Sequence, residues 1–233
     1  METPMPDMTL ENHLWKEGFR VIGCDEAGRG TWAGPLFVGA VSLHDTNIAL
    51  VQGWLTHDML RDSKKMTETQ RYTIYREMME HNVPYAVGDA TAEEVDKHGI
   101  EAAFGLALNR AVSALTELEK LYDKSPSDRY QKTALLIDGA HYRSLRIKDM
   151  SLSEPDYYEV VAEDKLDDAC ATVAMASVVA KVHQQITMLG MSKIFPKYGF
   201  DRHSGYPTKA HREAVHKYGL SVIHRVSWEV KSS

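Results

Sequence analysis

The chain has 233 residues, of which 43% are hydrophobic, and it carries a formal net charge of −6. That length fits one α/β domain with an adequate core, and the negative charge argues against a protein that coats nucleic acid indiscriminately. Cys24 and Cys170 lie in apolar stretches without metal-ligand spacing, and no apolar run reaches the ~20 residues that cross a bilayer. We therefore expect a reduced, cytoplasmic protein without a disulfide framework or membrane association.

The predicted elements mix strands with helices along the chain. Residues 1–13 contain Pro4 and Pro6 and no periodicity, which indicates a loose tail, and residues 14–233 are predicted to form one domain. Strands are predicted at residues 19–25, 36–44, 85–90, 133–138 and 157–162, and helices from residue 67 and at 92–97, 100–122 and 167–189, with a loop at 125–128. From about residue 190 to 233 the pattern predicts short helices and loops.

The charge is unevenly distributed between the two parts of the chain. From residue 169 onward there are nine Lys or Arg and three Asp or Glu, a net of +6, whereas the first 168 residues carry 18 and 30, a net of −12. An acidic part that could bind divalent cations and a basic part that could bind phosphates are together compatible with a nuclease.

The stretch from residue 21 to 41 combines two apolar runs, two adjacent carboxylates and a glycine turn. Asp25 and Glu26 end the first run, and Gly28-Arg29-Gly30 follows. Such a turn offers free backbone amides beside the carboxylates and could hold a phosphate or sugar close to a metal. The glycine spacing matches neither the dinucleotide fingerprint nor a nucleotide triphosphate loop. By itself, the string is equally compatible with a tight turn whose acids are solvated.

Four acidic positions are candidates for a metal centre. Two-ion phosphodiester hydrolysis requires roughly four carboxylates around ions ~3.5–4 Å apart, and Mg²⁺ and Mn²⁺ prefer such oxygen ligands. The candidates are Asp25, Glu26, Asp138 and either Asp167 or Asp168. Neighbouring strand residues point to opposite faces, so Asp25 and Glu26 can share a site only if the strand breaks there. The alternatives are a simple Asp-Gly turn at Asp138 and a helix N-cap at the last pair.

Five separate motifs resemble those of type 2 ribonuclease H (ribonuclease HII), in the order usual for that family. They are Gly23-x-Asp25-Glu26-x-Gly28-Arg29-Gly30, Leu136-Ile137-Asp138-Gly139, Ala162-Glu163-x-Lys165-x-Asp167, the run from Ala174 to Val182, and Gly205-Tyr206-Pro207-Thr208-Lys209-x-His211. The resemblance spans roughly residues 19 to 229. It implies an α/β fold of the ribonuclease H kind, a mixed sheet of about five strands flanked by helices, with a C-terminal helical segment.

The resemblance also implies an activity and a set of catalytic residues. The expected reaction is hydrolysis of RNA paired to DNA, including cleavage at single ribonucleotides embedded in duplex DNA, with 3′-hydroxyl and 5′-phosphate ends. The implied catalytic and metal-binding residues are Asp25, Glu26, Asp138 and Asp167, with Mg²⁺ or Mn²⁺ as cofactor. Counting back from Ser177 favours Asp167 over Asp168. The expected partner is therefore nucleic acid, and the chain is expected to act as a monomer.

Substrate contacts are implied by the resemblance at a further set of residues. Tyr206 is expected to stack under the sugar on the 5′ side of the cut and, with the backbone of Gly28, Arg29 and Gly30, to sense a 2′-hydroxyl. Lys64 and Lys209 are expected to hold backbone phosphates. His203, His211, His216 and His224 lack zinc-site partners and are interpreted as phosphate neighbours or surface residues.

Three departures from the family pattern bear on the substrate cleft rather than on the acids. Thr31 and Trp32 replace the usual residues after the glycine turn, Gly99 stands where Asn is frequent, and Ala174 replaces a frequent Ser. Two alternatives therefore stay open: another two-metal nuclease of the same fold, such as a junction resolvase, and a module that binds hybrids without cutting them.

Overall fold

The computed structural model describes residues 5–61, 63–121, 132–140, 142 and 158–228. The predicted loop at 125–128, the ends of the predicted elements at residues 122 and 157, and the first four residues of the predicted tail lie outside this part. The described helices are α1 (Thr9–Lys16), α2 (Asp45–Thr56), α3 (Glu68–Glu80), α4 (Ala92–His98), α5 (Ile100–Leu121), α6 (Ala171–Ile194), α7 (Phe200–His203) and α8 (Lys209–Tyr218), with a 3₁₀ turn at Leu166–Asp168. The strands are β1 (Phe19–Ala27), β2 (Leu36–Ser42), β3 (Tyr85–Ala90), β4 (Lys132–Asp138) and β5 (Tyr158–Glu163).

The five strands form one mixed sheet in the order β3-β2-β1-β4-β5. β1 pairs antiparallel with β2 and parallel with β4, and β4 pairs parallel with β5. The predicted mixed sheet of about five strands is thereby confirmed. Because β1 and β4 are adjacent and parallel, their carboxyl ends meet at one edge of the sheet, where Asp25 and Asp138 lie.

Helices cover both faces of this sheet. α5 packs on one face with the side chains of Ile22 and Cys24, and α6 packs on the other. A Cβ atom at Gly23 would collide with the backbone of Thr172, and one at Gly39 with the carbonyl of Ala176. The two glycines therefore let α6 lie directly on β1 and β2. This close approach brings the α6 side chains next to the carboxyl end of β1.

The predicted loose tail is wrong for residues 9–13, which belong to α1. Leu14 is buried against the sheet, and the buried carboxylate of Glu11 accepts hydrogen bonds from the backbone N–H and hydroxyl of Thr172, at 3.0 and 2.9 Å. Glu11 thus satisfies an N–H in the first turn of α6, which otherwise has no intrahelical partner. The local sequence does not reveal this contact because the two residues are 161 positions apart.

The long helix begins later than the sequence pattern predicts. Asp167 and Asp168 lie in the 3₁₀ turn, and α6 begins at Ala171 with Cys170 as its N-cap. Lys165 has φ +66°, so the chain turns sharply between β5 and α6. The two aspartates are consequently held at the end of the sheet instead of capping the helix. By contrast, the predicted start of α3 is confirmed, since Thr67 and Gln70 form a capping box.

The C-terminal helical segment packs around a small apolar cluster of its own, formed by Ala33, Met188, Tyr198, Phe200, Ala214 and Val215. Ala33 belongs to the segment after the glycine turn, so the cluster joins the C-terminal segment to that turn. No helix in the described part of the chain has the length and apolar character needed to span a membrane.

Candidate metal centre and nucleic-acid interface

Three of the predicted metal ligands converge at one point. One carboxylate oxygen each from Asp25, Asp138 and Asp167 lies within 4.8 Å of the others. The three come from β1, β4 and the 3₁₀ turn, so separate parts of the chain supply them. The backbone N–H of Leu166 donates to Oδ1 of Asp138 at 2.8 Å and ties the 3₁₀ turn to the end of β4.

Glu26 lies outside this group of atoms. β1 continues to Ala27, in register with β2 at both acidic positions, and does not break at Asp25 as the sequence interpretation required. Because successive side chains of a strand point to opposite faces, Asp25 lies on the α6 face of the sheet and Glu26 on the α5 face. The two carboxylates still influence each other, because Asp25 and Asp138 contribute to the raised pKa of Glu26. A metal-binding role for Glu26 stays a prediction.

The electrostatics of the group suit a cation. Burial raises the pKa of Asp25 and of Glu26, and the mutual repulsion of the acids raises both further. Asp138 shows the same direction of pKa shift for the same two reasons. Among the described residues, neither Oδ2 of Asp25 nor Oε2 of Glu26 meets a hydrogen-bond partner. Buried carboxylate oxygens without donors are costly unless a cation compensates them, so the site fits divalent metal ions.

The structure separates Asp167 from its neighbour Asp168. Asp167 belongs to the group of three and lies 3.2 Å from Nζ of Lys64, whereas Asp168 lies 2.8 Å from Nζ of Lys65. The two adjacent aspartates therefore point to different surroundings, each with its own lysine. This arrangement favours Asp167, as the motif comparison did.

A hydroxyl and ammonium cluster beside Asp25 was missed by the sequence interpretation. Ser177 on α6 hydrogen-bonds to Asp25 and lies 2.6 Å from the hydroxyl of Ser63, and Lys181 donates to both serines. The charge of Lys181 opposes the burial effect on the pKa of Asp25. The spacing of four residues between Ser177 and Lys181 places both on one helix face, and that was the available signal.

This cluster opens into a polar cavity of about 320 Å³. Its lining includes Lys64, Arg71, Lys181, Gln184 and Tyr206. Three cations and an aromatic ring thus line a concave surface beside the acidic group. Such a lining is suited to a nucleic-acid backbone, since cations bind phosphates and an aromatic side chain can stack on a sugar or base.

The glycine turn and Tyr206 lie next to each other, as the resemblance implied. A Cβ atom at Gly30 would lie 3.9 Å from Cε1 of Tyr206, and 41% of Tyr206 is exposed. The guanidinium of Arg29 donates hydrogen bonds to Glu101 and to the hydroxyl of Tyr142. The backbone of the turn and the partly exposed aromatic face of Tyr206 therefore form one continuous surface.

The structure leaves one predicted phosphate contact untested and contradicts the interpretation of two histidines. The side chain of Lys209 is 89% exposed and lies 3.9 Å from Glu213, so its phosphate contact stays a prediction. The interpretation of His211 and His224 as surface residues or phosphate neighbours is wrong, because both are buried and lie 3.0 Å apart. The aromatic cluster around Phe200 encloses them.

The departures from the family pattern leave the acids untouched. Thr31 is buried and donates its hydroxyl to the carbonyl of Gly28 at 2.9 Å, which closes the glycine turn. Trp32 packs toward His211, with ring centroids 6.0 Å apart. Gly99 has φ +79° and ends α4. Thr31 therefore stabilises the glycine turn by its hydrogen bond, and Trp32 packs toward the C-terminal helical segment.

The family model and the relatives found by sequence comparison agree on one family. The family model "Ribonuclease HII" matches residues 22–231. Ribonuclease HII of Nitrosomonas europaea is 32% identical over 94% of this chain and 87% of its own length, and a ribonuclease HII of Thermus thermophilus is 34% identical over 95% and 92%. The crystal structure of ribonuclease H2 from Pyrococcus horikoshii superposes with a TM-score of 0.62 at 25% identity, over 91% of this chain and 95% of its own.

Proposed function

The chain belongs to the ribonuclease HII family and is an endonuclease for RNA-DNA hybrids, and on that premise we propose that two divalent metal ions, held by Asp25, Asp138 and Asp167 with Glu26, drive its reaction. The observation that carries this proposal is the convergence of three aspartate oxygens within 4.8 Å. The buried carboxylate oxygens of Asp25 and Glu26 that have no hydrogen-bond partner among the described residues support the proposal further.

The ions, when bound, supply charge compensation, activation of the attacking water and stabilisation of the departing 3′-oxygen. Residues of the chain position the carboxylates and the backbone phosphate. Asp138 is oriented by the N–H of Leu166, and Asp25 by Ser177. Lys64 and Lys181 bring positive charge to the polar cavity, where a backbone phosphate would be held against the acidic group. The products would be 3′-hydroxyl and 5′-phosphate ends.

The substrate is proposed to include single ribonucleotides embedded in duplex DNA. The 2′-hydroxyl distinguishes ribose from deoxyribose at one position and can both donate and accept a hydrogen bond. The adjacency of Gly30 and Tyr206 supports a sensor in which backbone groups of the turn meet the 2′-hydroxyl while the ring lies under the sugar. Such a sensor needs one ribose only.

A cleavage assay tests the proposal. A DNA duplex carrying one ribonucleotide, an RNA-DNA hybrid and an all-DNA duplex are incubated with Mg²⁺ or Mn²⁺, beside Asp138→Asn. We expect wild-type cleavage of the first two substrates and a loss of ~10³-fold or more in the variant. An all-DNA branched junction is the fourth substrate, and its cleavage would indicate the resolvase alternative. Binding of hybrids without any cutting would indicate the binding module.

The proposal extends to the oligomeric state, the compartment and the start of the domain. We propose a monomer in the reducing cytoplasm, supported by the fact that one chain supplies all the named site residues and by the free, buried state of Cys24 and Cys170. Light scattering during gel filtration tests the oligomeric state. The proposed domain starts with α1 rather than at residue 14, because Glu11 contacts α6.

A further inference from the structure

Two adjacent residues near the C-terminus, His224 and Arg225, reach opposite halves of the proposed ribose sensor. We propose that this pair is a positioning unit that holds the glycine turn, Gly28-Arg29-Gly30, at a fixed distance from Tyr206 and thereby sets the discrimination between ribose and deoxyribose. The inference rests on the proposed function of the turn and Tyr206. Neither residue touches the three aspartates of the metal centre.

The backbone around the pair joins three segments of the chain. Ala33 and His224 form an antiparallel bridge. The N–H of Gly34 donates to Ile223 and the N–H of Arg225 to Trp32, both at 2.8 Å. The N–H of Trp32 in turn donates to Gly205 at 2.9 Å, directly before Tyr206. The exit of the glycine turn is therefore bonded to the C-terminal segment on one side and to the tyrosine loop on the other.

Arg225 fixes the turn through its side chain. The residue is 1% exposed, and its guanidinium donates to the carbonyl of Gly34 from Nε and Nη2, at 3.2 and 3.1 Å. Nη1 donates to the carbonyl of Arg29 at 3.0 Å. One planar group thus brackets residues 29–34 from both ends while its cation lies 5.1 Å from the ring of Trp228. A lysine cannot reproduce this geometry, because an ammonium lacks the planar fork.

His224 acts in the opposite direction, through His211. The backbone N–H of Ser221 donates to Nδ1 of His224 at 2.9 Å, so Nδ1 is an acceptor and the proton is on Nε2. Nε2 of His224 then donates to Nε2 of His211 at 3.0 Å. His211 consequently carries its proton on Nδ1, which donates to the carbonyl of Tyr206 at 2.9 Å. Each donor in this relay of hydrogen bonds has one acceptor. The last acceptor is the backbone carbonyl of Tyr206, whose ring is proposed to lie under the sugar.

The relay requires both imidazoles to be neutral, and their surroundings support that state. Burial lowers the pKa of His211, and burial together with His211 lowers the pKa of His224 to about 4. The groups facing the pair are the stacked ring of His203 at 4.5 Å, the rings of Tyr198 and Phe200, and Trp32. No carboxylate among the described residues forms an ion pair with either imidazole, so none favours the charged form.

Discrimination should depend on this unit because the two sensor halves belong to distant parts of the chain. A 2′-hydroxyl is read only if the turn amides and the tyrosine ring stand at the correct spacing. The pair contacts both halves: Arg225 donates to the carbonyl groups of Gly34 and Arg29, and His224 reaches the carbonyl of Tyr206 through His211. Loss of either side chain should allow one half to shift while leaving the metal centre intact.

The test measures dissociation constants rather than turnover, with Ca²⁺ in place of the catalytic ion. The probes are a duplex with one ribonucleotide and the matching all-DNA duplex, and the readout is the ratio of their dissociation constants. We expect Arg225→Lys and His224→Asn each to reduce the ratio about tenfold, the effect of one lost orienting hydrogen bond. Mn²⁺ affinity, measured by calorimetry, should be unchanged.

The ratio separates positioning from general destabilisation, because a smaller folded fraction weakens both duplexes equally. Val215→Ala, in the same apolar cluster, is the control and should leave the ratio unchanged. A wild-type ratio near one would refute the proposed ribose sensor itself. A wild-type preference that falls in Tyr206→Ala but persists in both Arg225→Lys and His224→Asn would overturn the positioning role alone. Circular dichroism confirms folding, and either variant suffices if the other does not fold.

Discussion

Nζ of Lys64 lies 3.2 Å from Oδ2 of Asp167, so an ammonium group contacts one carboxylate of the proposed metal centre. The carboxylate raises the pKa of Lys64, and Asp25 and Asp138 act in the same direction. A lysine held in this way partly compensates the acidic group and is also positioned to meet a phosphate. It therefore links metal binding to substrate binding.

Replacing Lys64 should separate these two roles. In Lys64→Met we expect Mn²⁺ to bind a few-fold more tightly, because a cation no longer competes for Asp167, and the KM for a hybrid to rise about tenfold through loss of a phosphate contact. Calorimetry and steady-state kinetics measure the two effects. Lys65→Met is the matched control, since Lys65 pairs with Asp168, and it should leave Mn²⁺ affinity unaltered.

The assignment of the third aspartate has a direct test in two neighbouring variants. Asp167→Asn should reduce hybrid cleavage ~10³-fold or more and weaken Mn²⁺ binding, because Asp167 contributes to the group of three oxygens. Asp168→Asn removes the same charge one residue away and, among the described residues, breaks the contact with Lys65. Equal losses of Mn²⁺ affinity in the two proteins would contradict the assignment.

The stability of the metal-free protein should fall as the pH rises through the range in which its buried acids ionise. Burial raises the pKa of Asp25 to about 6 and that of Glu26 to about 8. The folded state therefore binds more protons than the unfolded state from about pH 4 upward, so these acids contribute stability below that pH and lose it progressively up to pH 8.

Asp25→Asn isolates this effect. The variant should be more stable than the wild type by about 1–3 kcal/mol at pH 8 without metal, and the difference should vanish near pH 4. Mg²⁺ should raise the Tm of the wild type at pH 8 and not that of the variant. Thermal denaturation followed by circular dichroism gives both values, with Asp201→Asn, an exposed acid, as the control for a change in net charge.

The tyrosine loop should be sensitive to one methyl group at Gly205. This glycine has φ +84°, and a Cβ atom there would collide with the carbonyl of Ala33. Gly205→Ala should destabilise the fold and reduce hybrid cleavage at least tenfold, because the loop must move away from the turn. Gly219→Ala is the control, with φ +75° but nothing within 4 Å of its Cβ position.

The control variant should lose stability through backbone strain alone and retain wild-type kcat/KM on the folded fraction. Denaturant unfolding and cleavage rates, measured on the same preparations, provide the comparison. If both glycine variants cut hybrids at the wild-type rate, the contact between Gly205 and Ala33 does not matter for the sensor.

The sequence alone determined the elements whose signals are local. Continuous apolar runs predicted β1 and β4, the Thr67 capping signal predicted the start of α3, and the motifs predicted the family. Asp138 could be placed at a strand end because it directly follows an apolar run. Such features depend on neighbours a few residues apart, where backbone periodicity and side-chain size suffice.

Only the tertiary structure decided which distant groups meet. It separated Asp167 from Asp168 through a 3₁₀ turn that the hydrophobic periodicity of the sequence does not predict. It also placed Glu26 on the face of the sheet opposite Asp25, because the strand continues past both residues. It also buried His211 with His224, and it placed Arg225 beside the glycine turn, 196 residues from Arg29 in the chain. Contacts of that range depend on how the sheet and helices pack, and packing energy is shared among many residues at once.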